Sequence, residues 1–199
     1  MTDQELASLA QRGDQDAFAQ LVRDNERQVY TLALRLCGNP EDAMDLAQEA
    51  LLRAWSALPN FRGNSSFSTW LYRLTYNACV DFLRKNSLRR EVSLPLTQEA
   101  PDVPDHTGDP HQALERKERR QALERGLAQL PEHYRSVLVL RELSGLSYQE
   151  IGDVLKLDLG TVRSRLARAR GELRKILRKD GNFFDSGASN PVNKKGGAP

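Results

Sequence analysis

Cysteine, histidine and long apolar runs are all scarce in this chain. Two cysteines, Cys37 and Cys79, stand among 199 residues without a Cys-x-x-Cys pair, and none of the three histidines (His106, His111, His133) lies near either. That excludes a disulfide framework and the usual zinc spacings. Both cysteines sit in apolar helical stretches, so buried free thiols in a reducing compartment are expected; a redox link between them stays open. No apolar run approaches the roughly 18 residues needed to cross a bilayer. The opening Met-Thr-Asp-Gln-Glu lacks the basic-then-apolar order of a signal peptide, so a cytoplasmic location is expected. Ser/His/Asp, metal-ligand and phosphate-loop spacings are missing too, so neither catalysis nor a metal or other cofactor is expected. Strand-like alternation of useful length is absent. An all-α chain remains.

The net charge of +2 hides a division of labour. Residues 1–90 balance, with 11 basic and 11 acidic side chains. Residues 91–110 hold five acids (Glu91, Glu99, Asp102, Asp105, Asp109) and no Lys or Arg, while residues 111–179 hold 16 basic against 9 acidic. The acidic stretch also contains Pro95, Pro101, Pro104 and Pro110 and shows no apolar period, which reads as an extended tether. Beyond Asp180 the chain is Gly/Asn/Ser-rich and is expected to be disordered. The expected architecture is therefore two small helical domains: an N-terminal bundle over 1–88 and a C-terminal helix-turn-helix bundle over 113–179. A flexible acidic linker over 89–112 joins them, and 180–199 form a tail.

Residues 147–170 carry the sharpest signal. Ser147 with Glu150 forms a capping box, so a helix should run to about Leu155, with Ile151, Val154 and Leu155 as its apolar stripe. Asp158 can cap a second helix that buries Val162, Leu166, Ala169, Leu173 and Ile176. At about 100° per residue, its other face presents Thr161, Ser164, Ala167 and Arg168, flanked by Arg163 and Arg165. Arginine suits a helix in the major groove because its planar fork can bond a guanine edge twice or grip a phosphate. A solvated basic helix is the plainer alternative.

In the N-terminal half the periodicity predicts helices over Asp3–Arg12, Asp14–Leu36 and Pro40–Ala57. Gly38, Asn39 and Pro40 punctuate the last boundary as stop, cap and first helical residue. The third helix should bury Ala43, Leu46, Ala47, Ala50, Ala54 and Leu58, leaving Asp45, Gln48, Glu49 and Arg53 at or near its outer side. Next comes a loop, Arg62–Ser66, and then a helix. Phe61, Phe67, Trp70, Tyr72, Tyr76 and Phe82 concentrate here, interleaved with Arg62, Arg73, Arg84 and Lys85. Aromatic faces with cations suit unstacked bases. They also suit an ordinary core, which is the expected place for Trp70 and Leu74.

Three blocks, Asp45-Leu-Ala-Gln-Glu-Ala-Leu-Leu-Arg-Ala-Trp55, Phe61-Arg-Gly-Asn-Ser-Ser-Phe-Ser-Thr-Trp-Leu-Tyr-Arg73 and Gly160-Thr-Val-Arg-Ser-Arg-Leu-Ala-Arg-Ala-Arg170, resemble the extracytoplasmic-function (ECF) group of bacterial sigma factors. The resemblance covers about residues 5–178 in the family's order. It implies an initiation factor that binds core RNA polymerase, directs it to promoter DNA and is held idle by an anti-sigma partner, often membrane-tethered. Asp45, Gln48, Glu49 and Arg53 match positions that dock on the β′ clamp helices, and the C-terminal domain would meet the β flap. Phe61, Arg62, Asn64, Ser65, Ser66, Phe67 and Asn77 match the element that captures a flipped −10 base. Thr161, Arg163, Ser164, Arg165, Ala167 and Arg168 fall on the helix that reads the −35 element. The acidic linker could lie in the polymerase's RNA path as a polyanion mimic; a plain tether is the equal alternative.

The chain departs from the family's pattern at two positions. Gly152 stands where a small Ala is usual, which should weaken that helix by roughly 1 kcal/mol. Lys156 replaces the common turn glycine, so it must go left-handed or alter the turn. Two other functions compete. A stand-alone regulator would need a ligand or receiver domain, and residues 1–90 show no strand–helix alternation for one. An enzyme would need a catalytic constellation.

Overall fold

The computed structural model describes residues 1–87 and 110–179, all of the secondary structure among them helical. The N-terminal domain comprises α1 (Asp3–Gln11), α2 (Gln15–Cys37), α3 (Pro40–Ala57), a short 3-10 turn (Leu58–Asn60) and α4 (Phe67–Ser87). The C-terminal domain comprises α5 (Pro110–Gln129), α6 (Glu132–Leu138) running into a π-helical turn (Val139–Leu143), α7 (Tyr148–Leu155) and α8 (Leu159–Lys179). The acidic stretch and the tail from 180 onward lie outside the described residues, with one exception. Residues 110–112, assigned from sequence to the linker, are the first turn of α5. Proline is tolerated there because the N–H it lacks would have no helical partner.

The boundaries follow from local chemistry. Thr2 and Glu5 cap α1 reciprocally, with the Thr2 amide donating to Glu5 Oε2 at 2.7 Å. Asp14 accepts from the Ala17 amide to open α2. Gly38, at φ 78°, ends that helix in the left-handed region that glycine enters without strain. One residue later Asn39 Oδ1 accepts the amides of Glu41 and Asp42, and α3 begins at Pro40. A stop, a cap and a start within three residues turn α2 back on α3 as a tight helical hairpin.

Two apolar clusters hold the helices together. The first joins Leu6, Leu21, Val29, Ala50, Ala54, Phe67 and Leu71 from all four N-terminal helices. Alanines at 43, 47, 50 and 54 make one side of α3 narrow, which lets α2 and α4 approach closely. The second cluster crosses the domain boundary: Leu32, Leu36, Tyr72 and Cys79 pack with Leu127, Val137, Leu140, Ile151, Val162 and Leu166. The two domains expected from sequence thus share a core. Polar contacts reinforce it: Arg135 donates through Nη1 to the Leu36 carbonyl at 3.1 Å, and Arg35 Nη1 stands 2.6 Å from Glu124 Oε1.

Candidate nucleic-acid interface

The loop before α4 is held from below. Gln11, at the end of α1, donates its amide to the carbonyls of Leu58 at 2.9 Å and Phe61 at 2.7 Å. Ser66 caps α4, its Oγ accepting the Thr69 amide at 3.1 Å. Phe61, Phe67 and Trp70 form a mutual aromatic cluster with ring centroids 5.0–6.0 Å apart. This corrects part of the sequence reading. Phe67 is only 2% exposed, and Phe61 is buried beside it, so both are the floor of the loop and not a free stacking surface. Burying an aromatic ring recovers about 1.5–3 kcal/mol, which an exposed ring would forgo. Trp70 is core, as expected.

What remains open above this floor is polar. Arg62, Asn64, Ser66 and Asn77 are exposed and Ser65 half-buried. Arg62, Asn64, Ser65, Thr69 and Arg73, with the inner aromatics and with Asp153 and Val154 of α7, line a cleft of about 400 Å³. Asn77 lies about one turn beyond Arg73 on α4, outside the cleft lining.

In the helix-turn-helix, Ser147 and Glu150 cap α7 as the sequence required, the Ser147 amide donating to Glu150 Oε2 at 2.8 Å. The other carboxylate oxygen, Oε1, accepts the hydroxyl of Thr69 from the N-terminal domain at 2.7 Å. Burial pushes the Glu150 carboxyl up. The hydrogen bonds from the Ser147 backbone, Thr69 and the Ser147 side chain outweigh it, and the group ends below its ordinary value. Lys156 takes the left-handed conformation at φ 55°, and its amide donates to the Gly152 carbonyl. Asp158 opens α8, accepting the Thr161 amide at 2.9 Å and hydroxyl at 2.6 Å.

On α8 the expected face divides. Arg163, Ser164, Ala167 and Arg168 are exposed, and Val162, Leu166 and Ala169 are buried behind them. Thr161 is half-buried and engaged with Asp158. Arg165 is also half-buried, close enough to Tyr76 of α4 for its charge to oppose the rise that burial imposes on the phenol. It faces the other domain, so it stands apart from the outward arginines in this arrangement.

On α3, Asp45, Gln48 and Glu49 are exposed; Arg53 is half-buried and pairs with Glu49 one turn earlier, 3.9 Å from Asp81 of α4. Sequence reading missed two neighbours: Met44 and Leu52 are 50% and 68% exposed. They fall at i and i+8 with Gln48 between, one stripe of a helix. Each was an unassigned apolar residue in the sequence, the available signal. Arg135 was missed as well. It donates to the carbonyls of Leu127, Ala128 and Leu130, tying down the open C-terminal end of α5.

A helical bundle with a polar cleft over an aromatic floor, coupled to a helix-turn-helix that presents arginines, defines a two-domain DNA-binding protein. Comparison with known proteins gives that class its family. Sigma-70 region 2 matches residues 21–89, and Sigma-70 region 4 matches residues 120–173. The RNA polymerase sigma-H factor of Pseudomonas aeruginosa is 39% identical over 183 residues, spanning 88% of this chain and 93% of that protein. The ECF RNA polymerase sigma-E factor of Escherichia coli K12 is 38% identical over 175 residues, spanning 85% and 91%. Among solved structures, CnrH bound to the cytosolic domain of CnrY superposes with a TM-score of 0.65 at 28% identity, over 89% of this chain and 98% of that one. The sigma factor RpoE of Bartonella quintana, bound to the anti-sigma factor NepR, gives 0.67 at 23% identity over 82% and 98%, a likeness of fold. This chain belongs to the ECF group of the sigma-70 family, and its function is that of a promoter-directing RNA polymerase sigma factor.

Proposed function

We propose that three surfaces of this sigma factor divide the work of initiation. The outer face of α3 (Asp45, Gln48, Glu49 and Arg53, with Met44 and Leu52 as apolar anchors) docks on the β′ clamp helices of core polymerase, and the C-terminal domain meets the β flap. Charged groups set the register of such an interface, while desolvated apolar side chains supply most of its affinity. The cleft formed by Arg62, Asn64, Ser65 and Thr69, with Asn77 further along α4, accepts a flipped −10 base. Flipping costs on the order of a few kcal/mol, and a pocket that binds the extruded base recovers it without ATP. The exposed face of α8 reads the −35 element, with Arg163 and Arg168 able to bond base edges or phosphates. The factor works in the cytoplasm by binding alone, with no chemistry of its own and no cofactor. The anti-sigma factor NepR binds RpoE of Bartonella quintana in the structure above, and a partner of that kind masks this chain when it is idle.

The observation that carries this reading is the coexistence, on one chain, of a solvent-facing arginine helix and a polar cleft with a buried aromatic floor. Run-off transcription with purified core polymerase tests it. The chain alone should convert core into a promoter-specific enzyme; an ordinary regulator would not. Changing Asp45 and Gln48 together to Ala should lower core binding and leave binding of −35 DNA unchanged.

A further inference from the structure

On the assignment of α8 to the −35 element made above, we propose that Leu159, its first residue, reads the methyl group of a thymine there. Leu159 is 39% exposed, although Leu155 and Leu157 just before it pack against the shared core. A lone leucine on a surface is common. This one stands at the end of a reading helix whose opening residues meet the base edges.

Its neighbours leave it alone at that end. Gly160 has no side chain, and the Thr161 hydroxyl is spent on Asp158 Oδ2 at 2.6 Å. Asp158 is itself turned back onto the helix, its Oδ1 accepting the Thr161 amide at 2.9 Å. The foremost free side chain of α8 is therefore a hydrocarbon. Side chains on a helix lean toward its N-terminus, so Leu159 reaches beyond the first turn. It shares a face with Arg163, four residues on, which is exposed and already assigned to the DNA.

The chemistry of the groove selects the ligand. All four bases show hydrogen-bonding atoms in the major groove, and thymine alone adds a methyl group. Leucine can offer no hydrogen bond, and covering a donor or acceptor with it leaves that group unpaired at a cost. Only at thymine does the contact remove apolar surface from water on both sides. Position along the helix fixes where this thymine lies. Leu159 and Arg168 are nine residues apart, about 14 Å along the helix axis. That length matches about four base-pair steps of duplex. The thymine met by Leu159 thus sits about four base pairs from the base met by Arg168.

The test uses the full-length chain assembled with bacterial core polymerase. Selection from a randomised duplex library gives the preferred −35 sequence for the wild type, R168A and L159A. R168A should lose its preference at one base, and L159A should lose only a thymine about four base pairs away. Replacing that thymine by deoxyuridine deletes the methyl group and nothing else. In competition binding the wild type should hold the uracil duplex about fourfold more weakly, the worth of one buried methyl group. L159A should not distinguish the two duplexes, and L159M, which keeps an apolar reach, should restore the difference. The uracil comparison in the wild type does not depend on how any variant folds. A selected element without thymine at that spacing, or equal binding of the uracil duplex by the wild type, overturns the contact; altered preference in R168A would then still uphold α8 as the −35 reader. A methyl effect that persists in L159A overturns it as well, because another group must then meet the methyl. If R168A and L159A both select the wild-type −35 sequence, the assignment of α8 has failed and the contact falls with it.

Discussion

The carbonyl oxygen of Leu157 lies 2.8 Å from the point where a β-carbon on Gly152 would sit. Helix propensity alone would favour alanine at that position by about 1 kcal/mol. The structure reverses that preference, because the turn of the helix-turn-helix folds back over residue 152 and leaves no room for a methyl group. The glycine that this motif commonly carries in the turn is a lysine here, and Lys156 accepts the left-handed backbone. Gly152→Ala should therefore destabilise the chain by about 1–2 kcal/mol, a forced shift of packed atoms outweighing the gain in propensity. Thermal denaturation checks it, and a raised melting temperature would refute the argument.

Arg168 projects from the exposed side of α8, one position before the buried Ala169. Arg168→Ala should weaken binding of promoter DNA by about 1–3 kcal/mol, with the loss concentrated at one base of the −35 element. Competition assays across single-base variants of the site provide the measurement. An equal loss for every sequence would instead make this arginine a phosphate contact.

Both cysteines are buried and unpaired. Burial raises the Cys37 thiol, and burial, then the neighbouring Cys37 and Glu49 charges, pushes the Cys79 thiol up to about 12. Thiolate is the reactive form, so the native chain should react with a disulfide reagent at pH 8 far more slowly than the same chain in guanidinium. Fast native labelling of Cys79 would show that the shared core opens readily.

Acid should loosen the carboxylate-capped helix starts, those of α7 and α8 and that of α1 at Glu5, before it melts the middle of α2. Glu150 and Asp158 both carry carboxyls held below their ordinary values, Asp158 chiefly by the Thr161 hydroxyl and amide. A depressed native value means that the charged form supports the fold, so this contribution is present above the unfolded-state value of about 4. It is lost as pH falls through the lower native values. Hydrogen exchange at α7 and α8 amides, followed from pH 6 to 3, should rise ahead of exchange in α2. In Glu150→Gln the Glu150 share of this pH dependence should vanish.

Elements punctuated by local chemistry could be read directly from the sequence. Helix α3 ends where expected on both sides, since Asn39, Pro40 and the alanine stripe act within one turn of themselves. The Ser147–Glu150 cap is equally local. Helices α5 and α6 leave a weaker trace in the sequence, because charged residues crowd α5 and its buried apolar side chains among the described residues reduce to Ala122 and Leu127. Composition at Phe61 and Phe67 fits a base platform and a core equally, and only burial separates the two. Thr69 and Glu150 are 81 residues apart, and no property of either residue alone announces the other.

The division of duties within one carboxylate has a consequence for the independence of α7. Because Oε2 of Glu150 serves its own helix and only Oε1 reaches Thr69, parting the halves removes a tie without unravelling the reading head. The Ser147–Glu150 cap would thus survive loss of the Thr69 contact, and α7 starts on groups within its own first turn.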